Sequence, residues 1–308
     1  MTTSSISERP AIKNVGIVGL GIMGRPMAQN LMKAGFQVTA HSRTRTKVEE
    51  LQRQGAQAAS SPADVAARSD LVITMVPDSP DVELVAEGPR GVFEGAHAGL
   101  IVADMSTISP AVTRRLSSQA ASRGCSWLDA PVSGGEAGAI AGTLTIMVGG
   151  DADAFERALP VFQGMGKRVT HIGPSGHGQT AKLANQILVA VNLLAASEAL
   201  VFGAKAGLNL DKLHEALAGG AANSWAFENL GRKMLKRDFA PAFKIRLQQK
   251  DLRLVSEAAR ETQTPVIGAE LVQQLLRVLE AQGRGEDGTQ ALVTILESMA
   301  GATAKGNS

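Results

Sequence analysis

The chain has 308 residues, 44% of them hydrophobic and 19% charged, with a net charge of +2. That length accommodates two domains, and so balanced a charge gives no electrostatic basis for binding nucleic acid or an anionic membrane. The single cysteine, Cys125, excludes an intrachain disulfide and a cysteine-rich metal site, and the lack of any tyrosine excludes a Tyr hydroxyl as general acid.

The segment Met1–Lys13 is polar and lacks the apolar run of a signal peptide or anchor. No stretch of membrane-spanning length is free of charge and glycine. A cytoplasmic enzyme is expected, with its proton donor drawn from Lys, His, Asp or Glu.

In chain order, short apolar runs predict strands over Val15–Val18, Gln37–His41, Leu71–Met75, Leu100–Asp104, Cys125–Ala130, Leu144–Val148 and Arg168–His171. Helical patterns lie between them, over Met23–Lys33, Thr46–Gln54, Pro62–Ala67, Ala111–Arg123 and Ala152–Gln163. Such alternation predicts an α/β fold built on a doubly wound parallel sheet. The strand signals stop after Gly178. Gln179–Ala206, with no proline and one internal glycine, Gly203, reads as one long helix. Helices are also predicted over Asp211–Leu217, Trp225–Lys236, Leu247–Thr262, Ala269–Gln282 and Thr289–Met299. The expected plan is a Rossmann domain over 14–175 and an all-α domain over 176–302, joined by the long helix near Gly173–Gly178. The tail Gly301–Ser308 is expected to fray.

The first strand runs straight into G-L-G-I-M-G at Gly19–Gly24, and a helical stretch follows at once. In this G-x-G-x-x-G turn Gly19 permits the tight bend, Gly21 lets the backbone approach a pyrophosphate, and Gly24 lets the helix pack on the strand. The helix N-terminus then offers free N–H groups to the phosphates. The second strand ends His41-Ser42-Arg43-Thr44-Arg45, where an NAD-binding unit carries an acidic residue. Two arginines and two hydroxyls there suit a 2′-phosphate, so NADP(H) is the expected cofactor, with NAD(H) as the alternative.

Two further segments carry chemistry. In Asp129-Ala-Pro-Val-Ser-Gly-Gly-Glu136, Ser133 offers a hydroxyl, and Gly134 and Gly135 offer unobstructed N–H groups, a nest suited to a carboxylate. In Gly178-Gln-Thr-Ala-Lys182-Leu-Ala-Asn185, Lys182 lies on a markedly apolar helix with Asn185 at i+3 and Gly178 at i−4, which puts all three on one face. The glycine is expected to give access to the lysine, and desolvation of a lysine moves its pKa toward the range useful for proton transfer. A snorkelling surface lysine is the plainer alternative.

Together these segments resemble the β-hydroxyacid dehydrogenase family, from about Asn14 to Gly301. The resemblance rests on the fingerprint Gly19–Met27, the substrate motif Asp129–Gly135, the catalytic motif Gly178–Gln186 and the run Lys250-Asp251-Leu252. It implies Lys182 as catalytic general acid with Asn185 beside it, and Ser133, Gly134 and Gly135 on the substrate. It also implies cofactor contacts from Gly19, Gly21, Ile22, Met23, Gly24, Val76, Pro77, Thr107 and Lys250, to which the chemistry at the end of the second strand adds Ser42, Arg43 and Thr44. Ile73–Pro80, Asp129–Glu136 and Lys182–Gln186 resemble the semialdehyde reductases of that family, so a small aldehyde acid is the expected substrate. 3-Hydroxyisobutyrate or 4-hydroxybutyrate dehydrogenase activity is the alternative. Ser42-Arg43-Thr44 departs from the acidic pattern of NAD-preferring members, and the run Ala221–Phe227 matches no substrate class. An imine reductase would share the two-domain plan but typically lacks the lysine, and a silent NADP-binding protein would have no use for it.

The other candidates are weaker. Cys125 is expected in the core, His171 and His177 are the alternative general bases, His41 lies toward the adenine end or is merely exposed, and Asp151 and Asp153 start a helix. The long helix carries apolar residues on more than one face, including Leu183, Ile187, Leu188, Val191, Leu194 and Val201. A surface helix needs only one apolar stripe, so a homodimer or larger assembly built on the helical domain is expected.

Overall fold

The structure is a computed structural model and describes residues 11–306. The reading of Met1–Lys13 therefore falls largely outside the described residues, as do Asn307 and Ser308. The chain divides into two compact units, one through Lys182 and one from Leu183.

The first unit alternates strand and helix: β1 (Asn14–Val18), α1 (Gly24–Lys33), β2 (Gln37–His41), α2 (Arg45–Gln52), β3 (Gln57–Ala58), α3 (Pro62–Ala67), β4 (Leu71–Thr74), α4 (Ser79–Glu87), β5 (Ile101–Asp104), α5 (Pro110–Ala121) and β6 (Ser126–Asp129). These six strands are all parallel, in the order β3-β2-β1-β4-β5-β6. That is the strand order of a Rossmann fold. β7 (Val132–Ser133), α6 (Gly135–Ala141), β8 (Leu144–Gly149), α7 (Ala152–Gln163) and β9 (Gly166–Gly173) complete the sheet. β8 runs antiparallel to β6 and β7, while β9 is parallel to β8. The sheet is thus parallel-dominated rather than wholly parallel, because the short α6 links β7 to an antiparallel neighbour, which needs no long crossover.

The central strands are buried on both faces. Val15, Ile17, Ile73, Ile101 and Ala103 pack with Met27, Leu31 and Phe162 on one side. Val72 and Val102 pack with Val65, Leu116 and Trp127 on the other. This two-sided burial explains why the strands read as continuous apolar runs.

Helix α8 (His177–Lys205) begins in the first unit and runs on into the second. After it come α9 (Leu210–Ala218), a π-helical stretch over Ala226–Gly231, α10 (Arg232–Leu235), α11 (Ile245–Glu261), α12 (Ile267–Ala281), a 3₁₀ turn over Thr289–Leu292 and α13 (Val293–Ala300). Leu193, Leu200, Met234, Ile245, Leu276 and Val293 form the core of this unit. By length and composition α8 could cross a membrane, but its buried leucines belong to that core.

The tail does not fray over its described part. Ala304 is fully buried and its N–H donates to Glu297 Oε1 at 2.7 Å, while the Gly306 N–H donates to Leu235 O at 3.0 Å.

Candidate active site

The glycine turn after β1 gives each glycine a distinct environment. Gly19 has φ +105°, and a Cβ there would fall 2.2 Å from Met75 O. A Cβ on Gly24 would fall 1.9 Å from Gly19 O, whereas one on Gly21 would meet nothing within 4 Å. The turn is closed where the chain packs and open above Gly21, where a phosphate needs room. Among the described residues α1 has no side-chain N-cap and no acidic residue in its first turn, which leaves the Gly24 end open to an anion; further in, the Arg25 N–H already donates to Gly21 O at 3.2 Å and Pro26 has no N–H. Ile22, 52% exposed, and the half-buried Met23 edge this opening.

Beyond β2, the Ser42 Oγ accepts from the Thr44 N–H at 3.3 Å, and Arg43 stands exposed with Nη1 3.5 Å from Asp81 Oδ1. Arg45 pairs with Glu49 at 3.3 Å. Pairs this exposed contribute little and can re-form around a stronger anion.

The carboxyl ends of β4, β5 and β6 carry a buried polar row in register: Thr74, Asp104 and Asp129. Thr74 Oγ1 donates to Asp104 Oδ1 at 2.8 Å, and the Ser106 N–H reaches the same oxygen at 3.2 Å. Burial pushes the Asp104 carboxyl up to about 7, against the pull of those hydrogen bonds. Ser106 Oγ in turn accepts from the Val76 N–H at 3.0 Å, which joins the loop bearing Val76 and Pro77 to the loop bearing Thr107.

Asp129 ends β6. Its Oδ1 accepts from the Gly176 N–H at 2.9 Å and its Oδ2 from the Gln179 N–H at 2.8 Å. Burial raises its pKa, and these backbone donors oppose the rise. Past Asp129 the chain reaches Ser133 and then Gly134 and Gly135, whose φ values of +134° and +59° only glycine adopts readily. Both glycines are exposed, and α6 starts there without a side-chain cap.

The start of α8 is pressed onto these strand ends. A Cβ on Gly178 would lie 2.4 Å from Asp129 O and 2.6 Å from Met147 O. Gly178 therefore serves close backbone packing, not access to the lysine as its spacing suggested. One turn on, Lys182 is buried, 7% exposed. Asn185 follows at i+3, its Nδ2 buried and, among the described residues, without a hydrogen-bond partner. In the second unit, Asp251 accepts a hydrogen bond from Gln186 Nε2 and pairs with Lys250 Nζ at 2.7 Å.

The weaker candidates have structural tasks. The His171 ring stacks on Phe155 and bonds Gly150 O at 2.9 Å. The Cys125 thiol is pushed up by burial, and Asp151 caps α7 through the Ala154 N–H. His41 Nδ1 lies 3.3 Å from Ala59 O. No cluster of potential metal ligands occurs among the described residues. Sequence reasoning missed Asp104, Ser106 and Gln179. For Asp104 the available signal was a carboxylate closing an apolar strand, an expensive placement unless the group is hydrogen-bonded or holds its proton; Ser106 and Gln179 carried no such signal.

A Rossmann sheet that gathers a phosphate-ready turn, a polar row and a buried helical lysine defines a nicotinamide-dependent dehydrogenase. Residues 14–173 match the family model of the NAD binding domain of 6-phosphogluconate dehydrogenase. Residues 176–296 match the model described as NAD-binding of NADP-dependent 3-hydroxyisobutyrate dehydrogenase. The chain belongs to the β-hydroxyacid dehydrogenase family: it is an oxidoreductase that acts on hydroxyl donors and binds a nicotinamide cofactor. It is 45% identical to the 2-hydroxy-3-oxopropionate reductase of Escherichia coli K12, over 93% of this chain and 98% of that protein. It is 39% identical to the 2-(hydroxymethyl)glutarate dehydrogenase of Eubacterium barkeri, over 95% and 97%. Among solved structures, 3-hydroxyisobutyrate dehydrogenase of Mycobacterium tuberculosis with L-serine superposes with a TM-score of 0.86 at 32% identity, over 92% of this chain and 99% of that one.

Proposed function

We propose that the protein reduces a small aldehyde acid with NADPH, converting 2-hydroxy-3-oxopropionate to glycerate. The observation that carries this reading is Lys182, buried on a helix whose first turn is tied to Asp129, the residue that leads into Ser133. The 45% identity to a 2-hydroxy-3-oxopropionate reductase supports the choice of substrate.

The residues fit the cofactor: space is open above Gly21, the start of α1 is uncapped, and Ser42, Arg43 and Thr44 offer donors for a 2′-phosphate. Gly19, Gly21, Ile22, Met23 and Gly24 hold the pyrophosphate, Val76, Pro77 and Thr107 line the nicotinamide side, and Lys250 adds a cation on the cofactor side. When bound, the reduced nicotinamide supplies a hydride to the carbonyl carbon. Lys182, as ammonium, gives a proton to the oxygen that gains the charge, so aldehyde, hydride and proton together yield the alcohol. Ser133, Gly134 and Gly135 hold the substrate carboxylate, and Asn185 orients the lysine or the reacting oxygen. The carboxylate nest and the retained lysine speak against an imine as substrate and against a catalytically silent role.

The likeness to 3-hydroxyisobutyrate dehydrogenase structures favours, as second reading, a branched hydroxy acid or its semialdehyde. Competition kinetics across a panel of aldehyde acids separates the two. We also assign the helical domain, 176–302, to substrate contact and dimerisation in a cytoplasmic enzyme. Leu188 and Phe202, two helical heptad steps apart on α8, are 64% and 75% exposed in the single chain. A second copy is the natural cover for that stripe.

A further inference from the structure

Gln179 is fully buried, and the reaction described above gives it no task. Its side-chain oxygen accepts from the Ile108 N–H at 3.1 Å, and its Nε2 donates to Ser106 O at 2.8 Å. The two bonds straddle Thr107. Ser106 passes the connection on, through its Oγ to Val76 and through its N–H to Asp104. One amide thus joins the helical turn before Lys182 to both loops on the nicotinamide side. Holding the helix start does not require that amide, because Asp129 already binds the backbone N–H groups of Gly176 and Gln179. The side chain's own bonds all go to the Thr107 loop.

We propose that Gln179 is a positioning residue for hydride and proton transfer: its side-chain amide fixes the Ser106–Ile108 loop, and with it Thr107, in register with Lys182. Gln179 and Lys182 lie three residues apart on one face of α8, so a shift of the loop against the helix moves the hydride donor relative to the acid. A misplacement on the order of 1 Å costs about 100-fold in rate. This inference rests on the reading of Lys182 as acid and Thr107 as a nicotinamide neighbour.

The test is Gln179→Glu, with Gln179→Met as its companion. A protonated Glu keeps one acceptor and one O–H donor, so it can reproduce both bonds; an ionised Glu has no donor for Ser106 O. The charged groups around it are Asp129 from β6, Asp104 from β5, Arg114 of α5 beside Gly176, and His177 and Lys182 on its own helix. Relative to the parent enzyme at each pH, kcat of Gln179→Glu should stay within about threefold in mild acid and fall tenfold or more by about pH 8, with NADPH affinity nearly unchanged. Gln179→Met should lose about tenfold in kcat at every pH, again with little change in NADPH affinity.

A kcat ratio near one for either folded variant across the whole range, with only thermal stability lowered, would overturn the proposal. If Gln179→Glu does not fold, Gln179→Met decides alone. Lys182→Ala, assayed alongside, keeps the two readings apart. Normal turnover in Lys182→Ala removes the general acid, while a pH-dependent loss in Gln179→Glu still supports the fixing of the Thr107 loop.

Discussion

Asp104 and Asp129 stand side by side in register at the carboxyl ends of β5 and β6, both fully buried. Burial raises the cost of ionising Asp104, the Asp129 carboxylate adds to it, and among the described residues Asp104 Oδ2 has no hydrogen-bond partner to offset that cost.

A pH dependence of stability follows. The folded protein holds a proton on Asp104 up to about pH 7, whereas the unfolded chain releases it near 3.8. The native state therefore binds more protons in that window, and stability falls as pH rises through it, levelling above. Asp104→Asn should flatten this slope and be more stable than the parent at about pH 8 by a few kcal/mol, on the order of 1.4 kcal/mol per unit of separation. Urea unfolding of both proteins at about pH 5 and pH 8 measures the difference. Parallel curves at the two pH values would show that Asp104 is ionised in the native state.

Replacing the proposed acid tests the chemistry itself. Lys182→Ala should lower kcat by roughly 10²–10⁴ while NADPH still binds, since general acid catalysis contributes about that much. Fluorescence titration reads the binding and single-turnover kinetics the step. Near-normal turnover would move the acid to His177 or to a water, His171 being already engaged by Gly150.

Cofactor choice depends on the end of β2. Ser42→Asp combined with Arg43→Ala should shift the preference from NADPH toward NADH, because a carboxylate repels a 2′-phosphate and accepts from a 2′-hydroxyl. Among the described residues Arg43 is held by an exposed pair with Asp81, so its removal should leave stability within about 0.5 kcal/mol. Tighter NADH than NADPH binding by the unmodified protein would sink the assignment.

Assembly is tested through the exposed stripe of α8. Light scattering at micromolar concentration should give at least a dimer, and Leu188→Glu with Phe202→Glu should release monomers that remain folded. A monomeric mass for the unmodified chain would end the dimer reading.

The parts of the fold that were legible in the sequence are those set by local pattern. The order strand, glycine turn, helix over Val15–Lys33 was readable because each element carries its own signal. β2, α3 and α7 begin and end where the sequence placed them. β3 and β7, two residues each, are too short for any periodicity to show. α4 went unread although Asp78-Ser79-Pro80 is a helix-start signal, its Asp78 carboxylate accepting from the Ser79 N–H at 2.7 Å. The antiparallel course of β8 was invisible because a buried strand has the same composition in either direction. The π-helical stretch after Trp225 has no signature distinct from an ordinary helix.

The site divides in the same way. Lys182 and the Ser133–Gly135 loop stood out as residue types at odds with their surroundings. Gln179 did not, because its partners Ser106 and Ile108 lie more than 70 residues away and only the tertiary fold brings them together.

Substrate choice is measured most directly by steady-state kinetics with NADPH against 2-hydroxy-3-oxopropionate, succinic semialdehyde, glyoxylate, methylmalonate semialdehyde and a plain aldehyde without a carboxylate. The highest kcat/KM is expected for a short aldehyde acid, with 2-hydroxy-3-oxopropionate first and the plain aldehyde far behind. The lost carboxylate contacts at Ser133–Gly135 should cost the plain aldehyde about 10²-fold or more, the loss expected when a site's polar groups go unpaired. A plain aldehyde that turned over best, or cofactor oxidation with none of the acids, would contradict this expectation.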